Sequence, residues 1–144
     1  MAFRTTRRVE FYDTDMAGIV HFSNFFRFME SVEVEFLRSL GVSVRLPWGP
    51  EMIGFPRVSA SCDYLRPARF EDLLDVTVTV DKVGRSSVAY AFEFGKDGEV
   101  IARGKITAVC CRVEGDKFES TPIPDEIREL LEKHLEPNAP PRRG

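Results

Sequence analysis

Apolar residues recur at helical spacing from Phe25 to Leu40, and this pattern predicts a long amphipathic helix. Ser23 or Asn24 is suited to cap its start, and Gly41 stands where a glycine commonly ends a helix. The apolar face is broad and rich in phenylalanine, so we expect it to be buried. Its members are Phe25, Phe28, Met29, Val32, Phe36, Leu37 and Leu40.

The chain on either side of this helix has the pattern of strands. Residues 3 to 12 predict a first strand, and residues 13 to 23 a loop that contains a glycine. Prolines and glycines interrupt residues 42 to 54, which are expected to be irregular. Four later segments are rich in Val, Thr, Ile and aromatic residues and predict strands: Arg57–Tyr64, Leu73–Val83, Ser87–Phe94 and Val100–Val113.

Together these elements predict an α+β fold in one domain, residues 1–135. The links between the later strands are short, as in the hairpin turn Lys96-Asp-Gly-Glu99, so a single, mainly antiparallel sheet is expected to wrap round the long helix. A second helix is predicted from Asp125 to about Leu135. Residues 136–144 are rich in proline and are expected to be disordered.

Composition narrows the class of protein. A chain of 144 residues is long enough for one hydrophobic core, and its net charge of −3 argues against nucleic-acid binding. Since no apolar run approaches the roughly 20 residues that cross a bilayer, no membrane association is expected. The three cysteines fit neither a metal site nor a disulfide framework, which favours reduced thiols and a cytoplasmic location.

Candidate chemistry is concentrated just before the long helix, where two carboxylates and a histidine precede the helix start. Such a start offers unpaired N–H groups and a positive dipole end, and a nearby carboxylate can attack, or activate water toward, a carbonyl polarised there. Asp13 is best interpreted as a turn residue, whereas Asp15 precedes the glycine turn and is the stronger site candidate. His21 fits a helix cap as well as a functional group.

The pattern of this segment gives little support for a metal site. An EF-hand would need acids at its first, third and fifth positions and Glu at its twelfth, but Ala17 and Asn24 occupy the last two. No fourth ligand accompanies Asp13, Asp15 and His21. We therefore predict no metal.

Two further groups of charged residues have both a structural and a functional interpretation. Glu30 and Glu33 belong to a helix that is expected to be buried, where an acid requires an explanation. Lys82, Arg85 and Ser86 form a basic, hydroxyl-bearing turn, which is either an ordinary polar hairpin or a phosphate site.

The segment Tyr12-Asp-Thr-Asp-Met-Ala-Gly-Ile-Val-His-Phe-Ser-Asn24, followed by a Phe-rich helix with Glu30, resembles the signature of hotdog-fold acyl-CoA thioesterases. The pattern is most similar to the 4-hydroxybenzoyl-CoA thioesterase group and its YbgC-like branch. The segments Phe55-Pro-Arg-Val-Ser and Asp63-Tyr-Leu-Arg-Pro-Ala-Arg-Phe-Glu-Asp72 resemble the second and third strands of that family with their connecting turn. The resemblance covers about 130 residues and implies a hotdog fold.

The resemblance also implies roles for individual residues. Asp15 takes the position of the catalytic carboxylate, as nucleophile or general base, and the backbone N–H at about Phe22 takes that of the oxyanion donor. Gly18 permits close approach of the backbone, and Glu30 stands where a 4-hydroxybenzoyl enzyme reads the phenol. Ile19, His21 and Asn24 complete the predicted oxyanion and substrate set, and Lys82, Arg85 and Ser86 match the region that holds CoA phosphates.

Two positions depart from the YbgC-like branch, which has a Tyr and a His where this chain has Phe11 and Phe22. His21 is one residue early, and a shift of one along an extended segment reverses the side-chain direction. The departures favour an aspartate and helix-terminus site that works without a histidine.

The expected partners are an acyl-CoA substrate, further copies of the chain in a dimer or tetramer, and an acyl carrier protein as a second potential partner. No cofactor is expected, since CoA is part of the substrate. The acyl group is open, with hydroxybenzoyl and dihydroxynaphthoyl as aromatic candidates. Two alternatives stay open: an enoyl-CoA hydratase or dehydratase, and a non-catalytic acyl-CoA or acyl-carrier binding module.

Overall fold

The computed structural model describes residues 1–136, which form two helices and nine strands. In chain order the elements are β1 (Phe3–Arg8), a 3₁₀ turn (Phe11–Asp13), α1 (Phe22–Ser39), β2 (Arg45–Trp48), β3 (Glu51–Gly54), β4 (Arg57–Tyr64), β5 (Leu73–Val83), β6 (Ser87–Lys96), β7 (Glu99–Val109), β8 (Cys111–Glu114), β9 (Lys117–Ser120) and α2 (Asp125–Glu132).

A five-stranded antiparallel sheet in the order β1-β5-β6-β7-β4 packs one face against α1. This is the predicted α+β arrangement. Strand β5 alternates as its sequence predicts, burying Val76, Val78 and Val80. The apolar face of α1 covers these positions, because helical spacing places its Phe, Met and Val side chains on one side.

The first strand is shorter than predicted. It ends at Arg8, and the chain then enters the 3₁₀ turn instead of continuing extended to residue 12. The side chain of Asp13 explains the turn, since its Oδ2 accepts the Glu10 N–H at 2.8 Å. The Val9 N–H still donates to Asp72 O at 2.8 Å, one residue beyond the last β1–β5 pair, so the chain leaves the edge of the sheet only after Val9.

A second sheet, in the order β2-β3-β8-β9, corrects the prediction of a single sheet. Residues 42 to 54, predicted as irregular, contain the β2–β3 hairpin, and Pro47 is tolerated because β2 is an edge strand. The predicted strand 100–113 is divided at Cys110, whose N–H donates to Ser86 O at 2.6 Å. The strand β9 was not predicted.

The helix α2 ends at Glu132, three residues before the predicted end. Leu135 bridges to Val80, and the Glu136 N–H donates to Val80 O at 2.8 Å. Glu136 is thus bonded to the sheet, whereas the rest of the predicted tail, residues 137–144, lies outside the described residues. Within residues 1–136, neither helix has the length and apolarity that a bilayer crossing requires.

One of the two acids singled out on α1 is buried. Glu33 is 0% exposed, and its Oε1 accepts hydrogen bonds from Arg57 Nε at 2.8 Å and pairs with Nη2 at 2.7 Å. Its Oε2 has no partner in residues 1–136. Desolvation raises the pKa of Glu33, and the Arg57 guanidinium only partly offsets this. Glu30, by contrast, is exposed to solvent.

Candidate active site

The loop before α1 is a tight hairpin that presents Asp15. The Asp15 N–H donates to Ile19 O at 2.9 Å, and the His21 N–H donates to Asp13 O at 2.9 Å. Between them, Gly18 adopts φ +78° and donates to Asp15 O at 3.0 Å. The left-handed backbone at Gly18 explains the glycine, because a side chain there would be strained.

Asp15 lies at the exposed tip of this hairpin. Its Oδ1 accepts the Ala17 N–H at 2.8 Å, which fixes the carboxylate against the turn. Its Oδ2 has no hydrogen-bond partner in residues 1–136, so one oxygen faces outward. Such an oxygen is available to attack a carbonyl or to take a proton from water.

Asp13 has the structural place that the sequence favoured. It is only 7% exposed; its carboxylate caps the 3₁₀ turn, and its backbone oxygen accepts the Asn24 Nδ2 at 2.8 Å. The amide of Asn24, predicted in the substrate set, therefore ties the loop to α1.

The first turn of α1 leaves one amide unused. The helix is capped by His21 rather than by Ser23 or Asn24, because His21 Nδ1 accepts the Ser23 N–H at 3.2 Å. The Asn24 N–H donates to His21 O at 2.8 Å. In residues 1–136 the Phe22 N–H has no acceptor, so it is the free donor at the positive end of the helix dipole.

The position of His21 agrees with the interpretation of this residue as a cap. Its ring nitrogen is also 2.7 Å from Ser23 Oγ, and its ring stacks on Phe22 with centroids 4.5 Å apart. Accepting the Ser23 N–H requires a lone pair on Nδ1, which places the ring proton of neutral His21 on Nε2.

Aromatic side chains with no role predicted from the sequence lie at the helix start and beside the Asp15 hairpin. Tyr64, at the end of β4, donates its hydroxyl to Phe22 O at 2.9 Å. Phe70 and Phe11 meet edge to face with centroids 5.7 Å apart. Phe22, Tyr64 and Phe70 are 61%, 43% and 47% exposed, an unusual density of exposed rings for one end of a domain.

Several predicted site residues do not meet Asp15 within one chain. Lys82 lies near the far end of β5, and Arg85 and Ser86 lie in the turn after it. Ile19 bridges to Arg69, which precedes the near end of the strand. A strand of this length spans roughly 30 Å. Arg85 O accepts from Ile123 N and Arg128 Nη2, so the backbone of the turn is held against α2.

No group of three or more His, Cys, Asp or Glu side chains in residues 1–136 has an arrangement that would hold a metal ion. The absence of a metal from the reaction stays a prediction.

Comparison with known proteins assigns the class. Residues 9–131 match the Thioesterase-like superfamily. A putative esterase of Aquifex aeolicus is 36% identical over 133 residues, covering 91% of this chain and 98% of that protein. A 1,4-dihydroxy-2-naphthoyl-CoA hydrolase of Nostoc punctiforme is 30% identical, covering 92% and 88%.

A solved gentisyl-coenzyme A thioesterase is similar in fold as well as sequence. It superposes with a TM-score of 0.76 at 30% identity, covering 90% of this chain and 99% of that one. The chain belongs to the Thioesterase-like superfamily. The predictions of a hotdog fold and of a hydrolase acting on thioester bonds are confirmed.

We predict that His21→Ala destabilises the protein by about 1 kcal/mol, because the Ser23 N–H loses its acceptor. His21→Asn is the matched variant, since Asn is a strong N-cap and restores an acceptor without the ring. Thermal unfolding compares them, with a melting temperature about 2–4 °C lower for the alanine variant. Equal melting temperatures for the two variants would contradict the capping role.

Proposed function

We propose that this protein hydrolyses an aromatic acyl-CoA to a carboxylic acid and CoA. In this proposal Asp15 acts on the thioester carbonyl, and the Phe22 N–H binds the developing oxyanion. The observation that carries the proposal is the free Phe22 N–H at the helix start, beside a hairpin whose tip exposes a carboxylate oxygen. Phe22 is only three positions beyond Ile19, the partner of Asp15, a span of about 10 Å.

The chemistry follows one of two routes. Asp15 attacks the carbonyl carbon, the C–S bond breaks, CoA leaves as a thiolate, and water hydrolyses the resulting anhydride. Alternatively, Asp15 takes a proton from a water molecule whose oxygen attacks the carbonyl; the tetrahedral intermediate then collapses, the C–S bond breaks and CoA leaves as a thiolate. In both routes negative charge develops on the carbonyl oxygen, where a preorganised N–H and the helix dipole stabilise it.

The exposed rings support an aromatic acyl group. Phe22, Tyr64 and Phe70 offer faces and edges on which an aromatic acyl group can stack, and such ring pairs stabilise beyond simple burial. The named relatives act on 1,4-dihydroxy-2-naphthoyl-CoA and gentisyl-CoA. Glu30 lies eight residues beyond Phe22, about 12 Å along α1, and in this proposal accepts a phenol hydroxyl. A hydroxybenzoyl or dihydroxynaphthoyl group is the expected substrate.

The site is proposed to be completed by a second copy of the chain. Strand β4 is an edge strand that is exposed along nearly its whole length, including the apolar Val58. An edge of this kind is a template for pairing with another strand. Since the Lys82–Ser86 turn lies far from Asp15 in one chain, a partner would have to supply it if it binds the CoA phosphates. The acyl carrier protein and the cytoplasmic location stay predictions.

We predict a mass of at least two 16.4 kDa chains by light scattering. Val58→Lys introduces charge at the β4 edge and should shift the protein toward monomer, because it would bury an unpaired cation at the interface. Thr6→Lys, exposed on the opposite edge strand β1, is the control and should leave the mass unchanged. A monomeric wild type, or dissociation by the control alone, would contradict a dimer through β4.

We predict that the wild type releases thiol from an aromatic acyl-CoA, measured over a panel of aromatic, short and long acyl-CoAs. Asp15→Asn should lower kcat by about 10²-fold or more, because Asn can still accept the Ala17 N–H but is neither nucleophile nor base. Asp116→Asn, an exposed position after β8, is the matched control and should retain activity.

Each outcome of this panel separates one part of the proposal from another. Release from no acyl-CoA would refute the hydrolase assignment and leave binding without turnover, whereas hydration of crotonyl-CoA would favour the hydratase alternative. Full activity of Asp15→Asn would refute the role of Asp15 alone. Faster turnover of long aliphatic acyl-CoAs would refute the aromatic substrate.

A further inference from the structure

Tyr64 joins the edge strand β4 to the first residue of α1, although the two are 42 positions apart. Its hydroxyl donates to Phe22 O at 2.9 Å. Its ring packs on Phe25 with centroids 5.5 Å apart and meets Phe22 edge to face at 6.4 Å. The hydroxyl bond and two ring contacts therefore fix one side chain against the helix start.

The hydrogen bond acts on one of the two peptide planes that meet at Phe22. The plane that carries the free Phe22 N–H includes His21 O, which Asn24 N–H holds at 2.8 Å. The next plane carries Phe22 O, where Tyr64 donates, and the Ser23 N–H, which His21 Nδ1 accepts. With both planes held, the direction of the Phe22 N–H is set before any substrate arrives.

The hydroxyl is a donor throughout the neutral range. Desolvation, followed by the neighbouring Cys62, raises the pKa of Tyr64, so the phenol stays protonated. Within α1, Phe22 O is also the expected acceptor of the Phe26 N–H, and a carbonyl oxygen has two lone pairs for two donors. Tyr64 thus adds a lateral bond that the helix itself does not supply.

We propose that Tyr64 is a positioning residue for the hydrolytic reaction: it aims the Phe22 N–H at the substrate oxygen by fixing the first turn of α1. This inference rests on the proposed function. The Tyr64 hydroxyl needs no contact with substrate, because its contribution is to orient the Phe22 N–H that binds the oxyanion. Tyr64 takes no part in the steps that make or break bonds.

The test compares Tyr64→Phe, which removes only the hydroxyl, with Tyr12→Phe. Tyr12 is 82% exposed, and its hydroxyl has no hydrogen bond in residues 1–136. Amide hydrogen exchange over residues 22–26 should become about fivefold faster in Tyr64→Phe, as expected for the loss of one net hydrogen bond. The kcat for the best acyl-CoA should fall about fivefold to tenfold, with KM within twofold of wild type. Tyr12→Phe should match wild type in all three.

The exchange and kinetic results for Tyr64→Phe together decide whether Tyr64 is a positioning residue. Wild-type exchange and wild-type kcat in Tyr64→Phe would overturn the proposal, as would a raised KM with unchanged kcat, which would indicate a substrate contact. A lower kcat with unchanged exchange would also overturn it. If no acyl-CoA is hydrolysed by the wild type, the proposed function fails, and Tyr64 loses its part in that reaction even if the exchange result shows that it orders the helix start.

Discussion

The close packing of α1 against the five-stranded sheet is the constraint on which the rest of the structure depends. Met29 of α1 lies over Gly104 of β7, where an added Cβ would be only 2.2 Å from the Met29 sulfur and 3.1 Å from Ser61 O. Met29 is fully buried, and such interiors do not yield without cost. A larger residue at position 104 would displace α1 from the sheet, and with it the helix start that follows the Asp15 hairpin.

Polar contacts tie α1 to β4 at two levels. Tyr64 bonds the first residue of the helix, and Arg57 pairs with the buried Glu33 about three turns further along. Such a buried ion pair is a weak source of stability, because desolvation of the carboxylate offsets the attraction, as the raised pKa of Glu33 indicates. A second effect of both contacts is to fix the register between helix and edge strand, so the site and the proposed interface share one support.

Sequence periodicity was sufficient for the long elements and insufficient for the short ones. It located α1 and the alternating strand β5, because many side chains in each element follow the same period. The four-residue strands β2, β3, β8 and β9 are too short to show a clear alternation. In β2, Pro47 also argues against a strand when the sequence is considered alone. Cys110 divides a strand through a bond to Ser86, which no local pattern predicts.

In the candidate site, too, local features could be predicted from the sequence and long-range ones could not. The candidates of the 13–24 segment could be picked out because they are close in sequence. The turn role predicted for Asp13 agrees with its bond to Glu10 N–H, whereas the role of Asp15 stays a prediction. General preference favoured Ser23 or Asn24 as the cap and left His21 as an alternative, and it is His21 whose Nδ1 accepts the Ser23 N–H. Tyr64 and the distance between Asp15 and the Lys82–Ser86 turn depend on long-range topology, which a single sequence does not display.

The central claim, that the Phe22 N–H binds the oxyanion, is tested most directly by Phe22→Pro against Phe22→Ala. Proline deletes this N–H, and it is favoured at a first helical position; His21, at φ −62° and ψ 135°, already has the conformation that precedes a proline. The account predicts that Phe22→Pro keeps the stability of Phe22→Ala and has a kcat about 10²-fold lower. Equal kcat in the two folded variants would contradict it.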